Sequence, residues 1–457
     1  MLIDCSLGER FPPMKQFLIL ICIFPFALIP ILLLLQIKSE MRNYYLFVSI
    51  FTNQLFLVFI FGVNLRSIYE GASIFVNITI LYVSIIPLAV IIFSRHKVKL
   101  LTFKPRHTLN NEILRWSWLL VFLFGFYAAI VSKAKLMPIA TTLMFGIILL
   151  TIMQRDYNFD LIIISIYRIF GLISGLLNLS FIFRFDWTRF VVQSVDSLNL
   201  NSSVYFSPLG SLFGLPPRVY GPFAGGQISA VFSLIGIACY LASNFPKKNP
   251  ILLISLVAFG SFSGSRTFYL TLTCLMTFHI FKRILPKGNL QYWLTLILGL
   301  VATASVLYFF LLPFISPDNQ TTTNFTGRSA LWAMILEDWN NNGILGQGPN
   351  TLTDYAIANI NFSYAHAHNS FLQLLWDFGA PGVLSFALII WASCVEAAKT
   401  LKGRNEVMGI ILTLMCIQTE PTIYIGINLI GWFWLIPLLY VYSSNRNQES
   451  VDVSKKK

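Results

Sequence analysis

The sequence has few charged residues: 11% of its 457 positions carry a charge, whereas 56% are apolar. It also lacks low-complexity tracts beyond a short polar tail, and no repeat with a period of about 20–50 residues is visible. So few polar side chains cannot cover the surface of an ordinary water-soluble domain. The composition therefore excludes a soluble globular protein.

Cysteine is scarce as well. The six cysteines are scattered, mostly inside apolar runs, and no Cys-x-x-Cys pair occurs. This pattern excludes a disulfide framework and a thiolate metal site, and it predicts that the cysteines are small buried hydrophobic residues.

Apolar runs of about 20 residues, the length of a helix that crosses a bilayer, recur along the whole chain. Continuous runs of this length also exclude barrel strands, which alternate over about ten residues. The sequence therefore predicts an all-α integral membrane protein, with a single polytopic domain over 1–457. We place its 12 or 13 transmembrane helices at residues 17–36, 43–63, 73–94, 116–132, 136–153, 161–181, 222–243, 250–264, 267–281, 291–312, 371–394, 406–419 and 424–443.

The net charge of +13 comes from Lys and Arg in alternate connections between these runs. This is the distribution expected of cytoplasmic loops, so the basic charge sets the topology and does not indicate a nucleic-acid partner. The basic connections are residues 95–115, 247–248, 282–287, 399–404 and the C-terminal 455–457.

Counting back from a cytoplasmic C-terminus places two polar segments on the outer face of the membrane. They are a first extracytoplasmic loop at 182–221 and a large one at 313–370, between the spans ending near 312 and starting near 371. The turn Gly264–Arg266 falls on the same face.

The orientation of the N-terminus stays open. Thirteen full spans would put it outside, whereas Arg10 and Lys15 favour the inside, and Pro25 and Pro30 interrupt the first run. No small-x-small cleavage site follows that run, so we do not expect a cleaved signal peptide.

The large loop is predicted to contain a short surface helix. Leu331, Ile335 and Trp339 fall four residues apart between Arg328 and Trp339, which gives one apolar stripe along a helix that would lie on the membrane surface. Residues 340–348 are rich in Asn and Gly, which tolerate left-handed backbone angles and predict a loop. Long ordered loops on a helical scaffold often carry function.

Three isolated arginines stand on the outer face, where the topology disfavours basic residues. They are Arg218 after Pro216-Pro217, Arg266 at the outer turn and Arg328 in the large loop. A guanidinium presents a planar fork of donors that matches a phosphate or diphosphate. We interpret the three as diphosphate ligands; the alternative is that each extends to the lipid headgroups.

Two of only five histidines, His366 and His368, precede the apolar run at 371, with Asn369 beside them. A metal ligand, a buried structural histidine and a general base are all open interpretations. No cysteine lies near, and the acidic residues on either side are twelve and nine residues away, which disfavours a metal site.

We favour the general base, because imidazole titrates near neutral pH, with Asn369 fixing its tautomer or binding a sugar hydroxyl. A histidine base together with arginines for a diphosphate leaving group indicates group transfer from a lipid diphosphate at the outer membrane face.

The stretch around the histidines also resembles a known family. His368-Asn369, nine residues, Gly379, two residues and Gly382 match the pattern H-[NSQ]-x9-G-x-x-[GTY] of the O-antigen ligase family. The wider O-antigen ligase and polymerase superfamily has segments similar to GSRT, TGRSALW, GILGQGP and HAHNSFLQLLWDFGAPG, which occur here in the family's order. The resemblance covers roughly residues 200–443.

The resemblance implies an all-helical, multi-pass glycosyltransferase of the bacterial cytoplasmic (inner) membrane, with its active site facing the periplasm or exterior. It implies inverting transfer, without a metal or other cofactor, of a glycan from undecaprenyl diphosphate to a glycan or lipid A core acceptor. Membrane lipids are further partners, and a chain-length regulator is an optional one.

By the same resemblance, His368 is the catalytic histidine, and Arg266 and Arg328 hold the diphosphate. Arg218, in a similar R-x-x-G context, Asn369 and His366, which lies outside the pattern, are candidate substrate-binding residues.

Within the superfamily, two activities stay open. A polymerase lengthens one lipid-linked glycan with another, and a ligase transfers the finished O-antigen to lipid A core. FTGRSALW and AHAHNSFLQLL favour a polymerase of exopolysaccharide or O-antigen, although the R-x10-G motif of one polymerase subtype is missing, since Ser229 and Trp339 stand at its glycine positions. A transferase that glycosylates protein and a lipid-glycan transporter are further alternatives; transporters tend to show related halves, and none are visible here.

Overall fold

The computed structural model of the protein describes residues 116, 123, 159–183, 208–213, 226–243, 249–284, 328–342, 345–348, 351–360, 367, 369–399 and 401–416. Within these residues every regular element is an α-helix. The nine helices of this part of the chain are α1 Phe159–Ile182, α2 Pro208–Leu212, α3 Gly226–Ala242, α4 Pro250–Phe262, α5 Arg266–Ile284, α6 Arg328–Asn342, α7 Leu352–Ile360, α8 Ser370–Lys399 and α9 Leu401–Cys416.

The predicted apolar runs that fall on described residues form helices. The runs at 161–181, 222–243, 250–264, 267–281, 371–394 and 406–419 correspond to α1, α3, α4, α5, α8 and α9. The other predicted spans lie outside the described residues, apart from two positions, so the total of 12 or 13 spans stays a prediction.

The short helix predicted in the large loop is present as α6. It continues to Asn342, so the prediction that the loop begins at 340 was wrong. Asn340 is exposed, and a polar side chain in that position does not interrupt the last turn. Leu331 and Ile335 are buried within the protein at 0% and 1% exposure, whereas Trp339 is 40% exposed. Most of the predicted apolar stripe therefore packs into a protein core.

The chain divides into two compact units, which are described separately. The first comprises residues 1–105 and 148–265 and contains α1 to α4. The second comprises residues 106–147 and 266–457 and contains α5 to α9. The single polytopic domain over the whole chain stays a prediction.

Aromatic rings hold the core of the first unit together. Phe170 of α1 stacks on Phe232 of α3, with ring centroids 4.0 Å apart. Phe181 of α1 lies 6.0 Å from Phe259 of α4, which in turn meets Phe232 edge-on at 6.3 Å. Such ring pairs each contribute about 0.5–1.5 kcal/mol beyond the burial of their area. The rings therefore join α1, α3 and α4 into one packed group.

Small residues let α1 approach α4 closely. Gly171 faces Leu252, and a Cβ at Gly171 would lie 2.8 Å from the Leu252 Cβ. One turn later Gly175 faces Ser255, and the next turn brings the Asn178 side-chain amide to the Ser255 carbonyl, to which it donates a 2.8 Å hydrogen bond. Glycines four residues apart that bring two helix backbones together are typical of helices that pair inside membranes.

Another side of α1, about 100° round the helix from the glycines, is apolar and exposed. Leu172, Leu176 and Leu179 are 60%, 66% and 51% exposed, and they follow one another at helical spacing. The buried side of the same helix carries Ser174 and Asn178. A surface helix of a soluble protein has the reverse polarity, with its polar face outward. This arrangement is the one expected of a helix that faces lipid.

Two of the described helices contain a segment that is long and apolar enough to cross a membrane. These segments are Ile163–Ile182 in α1 and Phe371–Val395 in α8. Shorter apolar segments occur at Ser229–Ala242, Pro250–Phe262 and Thr267–Ile280, in α3, α4 and α5.

In the second unit, α9 packs against α5 and α8. Gly409 of α9 faces Leu275 and Phe278 of α5, and a Cβ at Gly409 would lie 3.4 Å from the Phe278 ring. Both α5 residues are buried, so the contact forms part of the core of this unit.

The glycine contacts of α1 lead to a stability prediction. Gly171→Ala should destabilise the protein by about 1–3 kcal/mol relative to Gly175→Ala, because the first methyl meets a Cβ close to the backbone of α4. At Gly175 the nearest atom is the Ser255 hydroxyl, 3.3 Å away, which can rotate aside. Both variants gain the same helix propensity, so this gain cancels in the comparison.

Thermal unfolding of the two purified variants in detergent measures the difference. Equal unfolding midpoints would contradict the close approach of α1 and α4 at Gly171.

Candidate functional site

Each of the two candidate arginines of the second unit is the first residue of a helix. Arg266 is the first residue of α5 and Arg328 is the first residue of α6. Their side chains lie outside the described part of the chain, as do Arg218, His366 and His368. The convergence of Arg266, Arg328 and His368 on one cavity therefore stays a prediction.

Asn369 forms the N-cap of α8. Its side-chain oxygen Oδ1 accepts hydrogen bonds from the backbone N–H groups of Phe371, at 2.9 Å, and Leu372, at 3.2 Å. These two donors have no partner inside the helix, which is why Asn is favoured at this position. The cap uses the oxygen of Asn369, so the predicted contact with a histidine or a sugar hydroxyl would use its NH2 group.

Both backbone polar groups of Ala367 are hydrogen-bonded to side chains. Its N–H donates to Gln373 Oε1 at 2.8 Å, and its carbonyl accepts from the Trp332 indole N–H at 2.7 Å. Ala367 is fully buried, so each of these bonds replaces contact with water. One bond leads to α8 and the other to α6, and the residue that follows Ala367 is His368.

The hydrogen bond from the Ala367 N–H leads to a buried pair of polar side chains. Gln373 and Asp377, one turn apart on α8, are only 3% and 4% exposed. Gln373 Nε2 donates to both carboxyl oxygens of Asp377, each at 3.0 Å. Ala367, Gln373 and Asp377 thus form one continuous chain of hydrogen bonds at the start of α8.

The glycines of the family-like pattern shape a break in α8. Gly379 has φ 70° and ψ −167°, a conformation open essentially to glycine alone. Pro381 follows, and it has no N–H to offer to the Asp377 carbonyl one turn earlier. A Cβ at Gly382 would lie 2.5 Å from the Phe378 Cβ, so the bent chain has no room for a side chain there.

The segment between α6 and α7 rests directly on this break. The Gln347 N–H donates to the Trp376 carbonyl at 2.6 Å. A Cβ at Gly346 would lie 2.5 Å from backbone atoms of Asp377, Phe378 and Gly379. The contact is thus between two backbones, and only a glycine at 346 allows it.

A second buried carboxyl group, that of Asp338, ties α6 to the segment and to α7. Asp338 accepts a 2.9 Å hydrogen bond from Gln347 Nε2 and another of 2.9 Å from the Tyr355 hydroxyl. The bond to Asp338, then burial, then the charges of Asp338 and Glu337 raise the pKa of Tyr355 above its ordinary value of 10.0. Tyr355 therefore stays a neutral donor throughout the physiological pH range.

Apolar side chains fill the space between α6, α7 and α8. Tyr355 lies against Trp376, with ring centroids 4.9 Å apart, and the Trp376 indole donates to Thr351 Oγ1 at 2.9 Å. The buried members of this cluster are Leu331, Met334, Ile335, Leu352, Ala356, Ala367 and Trp376. The elements that carry Arg328 and flank His368 therefore share one core.

No group of three or more His, Cys, Asp or Glu side chains that could hold a metal ion occurs in the part of the chain that the structure describes. His366 and His368 lie outside that part. Transfer without a metal or other cofactor therefore stays a prediction.

Trp332 and Tyr355 are predicted from the sequence only as packing residues, and no hydrogen-bonding role is predicted for them, for Gln373 or for Asp338. The Gln373–Asp377 pair carried a local signal, because two polar side chains four residues apart in an apolar run face the same side of a helix. Trp332 and Tyr355 carried none, since their partners are 35 and 17 residues away.

The bond between Tyr355 and Asp338 predicts a pH-dependent contribution to stability. Tyr355→Phe should lower the free energy of unfolding by about 1–3 kcal/mol at pH 7, because Asp338 loses a donor. The pKa of Tyr355 is raised in the folded protein, so this contribution is complete below about pH 10. It is lost as the pH rises further, because the unfolded state releases its proton first.

Denaturation of the wild type and Tyr355→Phe between pH 7 and pH 11 tests this. Gln347→Ala is the matched control, because it removes the other donor to Asp338 but no ionisable group. The difference from wild type should shrink above about pH 10 for Tyr355→Phe and stay constant for Gln347→Ala. A difference that is constant for both variants would contradict the assignment.

The comparison with known proteins identifies a stretch of the chain that includes this region. The model of the O-antigen ligase family matches residues 227–387, which contain Arg266, Arg328 and the segment from His366 to Asn369. Arg218 lies outside the match. No curated protein matches the chain significantly. Proteins of the matched family are membrane proteins and glycosyltransferase-like enzymes. The match at residues 227–387 therefore supports the resemblance of this part of the chain to the O-antigen ligase and polymerase superfamily.

Proposed function

We propose that the protein is a membrane glycosyltransferase that moves a glycan from undecaprenyl diphosphate to an acceptor sugar hydroxyl at the outer face of the cytoplasmic membrane. The observation that carries the proposal is the family match over 227–387, which spans Arg266, Arg328 and His368. Within the family we favour a polymerase of O-antigen or exopolysaccharide over a ligase that transfers finished O-antigen to lipid A core.

In the proposed reaction His368 acts as the general base. It takes the proton of the acceptor hydroxyl while the hydroxyl oxygen attacks the anomeric carbon of the donor glycan. The bond between that carbon and the diphosphate oxygen breaks, and undecaprenyl diphosphate leaves with the bonding electrons. Attack from the side opposite the leaving group inverts the anomeric configuration.

Arg266 and Arg328 are proposed to bind the charge that develops on the diphosphate. Supporting this is their place at the first residues of α5 and α6, where the free N–H groups of a helix also favour an anion. Electrostatic stabilisation of this kind is usually the largest single contribution to catalysis. Arg218, Asn369 and His366 are proposed to contact the substrate.

A multi-pass location in the cytoplasmic membrane is supported by the polarity of the helices. The exposed leucines of α1 form one apolar stripe, and on α8 the exposed Leu384 and Trp391 lie two turns apart on one side, as expected of helices that face lipid. The Lys and Arg bias of the connections supports a periplasmic or exterior site.

The ligase remains the second candidate, because the family description supports a ligase as much as a polymerase. Both activities use the same lipid-linked donor and differ in the acceptor. A lipid-linked glycan transporter is a more distant alternative, and glycan transfer by the purified protein without any gradient would exclude it.

One prediction of the proposed function concerns the two histidines. His368→Ala should lower transfer by about a hundredfold to ten-thousandfold with normal expression and insertion, as loss of a general base does. The matched control His366→Ala should keep substantial activity. If the pair bound a metal, both variants would be equally damaged and a chelator would inhibit the wild type. Full activity of His368→Ala would overturn the general-base role.

The same variants, expressed in a strain that lacks the gene, also separate the two activities. Surface polysaccharide on a gel should show single-repeat products with His368→Ala if the protein is a polymerase. Unmodified core with accumulated lipid-linked polymer would instead identify a ligase.

Another prediction of the proposed function concerns topology. Residues 313–370 should lie outside the cytoplasmic membrane and residues 95–115 inside. In a variant in which the six native cysteines are replaced, Thr322→Cys should react in intact cells with a membrane-impermeant thiol reagent. Thr108→Cys should react only after the cells are opened. Equal labelling of both would overturn the orientation and the outer-face site.

A further inference from the structure

We propose that Trp332, and Gln373 oriented by Asp377, are positioning residues that fix the backbone immediately before His368 relative to the start of α6. The inference rests on the proposed function, in which His368 is the base and Arg328 binds the diphosphate. Trp332, Gln373 and Asp377 do not stand at any of the positions that the family-like pattern specifies. All of them lie in the second unit.

The residues on either side of His368 are held by side chains and by a helix cap. Ala367 donates to Gln373 Oε1 and accepts from Trp332 Nε1, at 2.8 and 2.7 Å. Asn369 caps α8 through its side chain, and its carbonyl accepts from the Gln373 N–H at 2.9 Å. Only one peptide unit separates His368 from each of these held neighbours.

Asp377 gives the Gln373 side chain its direction. The amide of Gln has one acceptor and one donor group, and here each faces a different partner. With both Asp377 oxygens 3.0 Å from Nε2, the oxygen Oε1 is turned to the Ala367 N–H. Turning the amide over would leave that buried N–H facing another donor. The carboxyl group therefore acts on Ala367 through Gln373.

Trp332 links this segment to the helix that begins with Arg328. The two residues lie four positions apart, which is about one turn or 6 Å along the helix axis. The indole bond to the Ala367 carbonyl thus sets the distance between the first turn of α6 and the residue before His368. Leu331, next to Trp332, and Ala367 belong to the same buried cluster, which makes this link rigid.

A base and a charge-stabilising group must both be correctly placed in the transition state. Displacement of a catalytic group by about 1 Å can cost about a hundredfold in rate. Binding of the donor before the reaction depends less on where the base stands. Loss of a positioning residue should therefore lower kcat much more than it raises KM.

Two tryptophan variants test the proposal in the full-length protein, with an undecaprenyl-diphosphate-linked repeat unit as the probe. Trp332→Phe deletes the indole bond to Ala367 and keeps an aromatic ring in place. Trp376→Phe is the matched control, because it deletes an indole bond in the same cluster whose acceptor is Thr351 Oγ1. Rates are expressed per folded protein, which is determined by size-exclusion chromatography and thermal unfolding.

We expect kcat to fall about 10- to 100-fold in Trp332→Phe, with KM for the donor within about twofold of wild type. In Trp376→Phe, kcat should stay within about threefold of wild type at a similar loss of thermal stability. Equal kcat values for the two variants would mean that the Trp332 bond is only structural and would overturn the proposal.

A second pair of variants tests the Gln373–Asp377 link. Asp377→Asn keeps an acceptor for Gln373 Nε2 and should retain most of kcat, whereas Asp377→Ala should lose about as much as Trp332→Phe. Wild-type kcat in a folded Asp377→Ala would overturn this part of the proposal; if that variant does not fold, the tryptophan pair decides.

His368→Ala separates failure of the positioning role from failure of the proposed function. If it is inactive while Trp332→Phe is fully active, the positioning role fails and the proposed function stands.

Discussion

The hydrogen bond from the Gln347 N–H to the Trp376 carbonyl joins the segment between α6 and α7 to α8, and the polar contacts of this region extend from it. It forms where α8 is broken at Gly379, and it is accompanied by the approach of Gly346 to the backbone of Asp377 and Phe378. Carbonyl groups at a break in a helix lose regular partners, and an N–H from another segment can replace them. The segment between α6 and α7 supplies that N–H.

From this contact the remaining interactions extend in two directions. The Gln347 side chain reaches Asp338 of α6, and Asp338 in turn holds Tyr355 of α7. On the other side, one turn of α8 leads from Asp377 to Gln373 and so to Ala367. Two buried carboxyl groups thus hold two sets of polar side chains, each satisfied by hydrogen bonds, around one apolar core. Such networks define a single arrangement of the elements they join, because any other arrangement leaves buried polar groups without partners.

The same arrangement explains how a membrane enzyme of the proposed kind could keep a precise site next to fluid lipid. Helix α1 exposes leucines on one side, and apolar contacts with lipid are not directional, so they do little to fix the orientation of a helix. The segments around α6 and α7 are instead held by directional bonds to α8. In the proposed mechanism this matters because the base and the diphosphate-binding arginine come from different elements of the chain.

The apolar runs by themselves determined the helices, because a segment of about 20 apolar residues has few stable alternatives to a helix in lipid. The family-like pattern also specifies Gly379 and Gly382, and the family match includes both positions. What surrounds those glycines was decided by tertiary structure: beside the break at Gly379, the Trp376 carbonyl accepts a hydrogen bond from Gln347, which lies 29 positions before Trp376 in the chain. The same holds for Trp332 and Ala367, which are 35 residues apart. Local periodicity reports which residues share a face of one helix, whereas contacts between distant segments depend on how the elements pack, and no local pattern in the sequence encodes that.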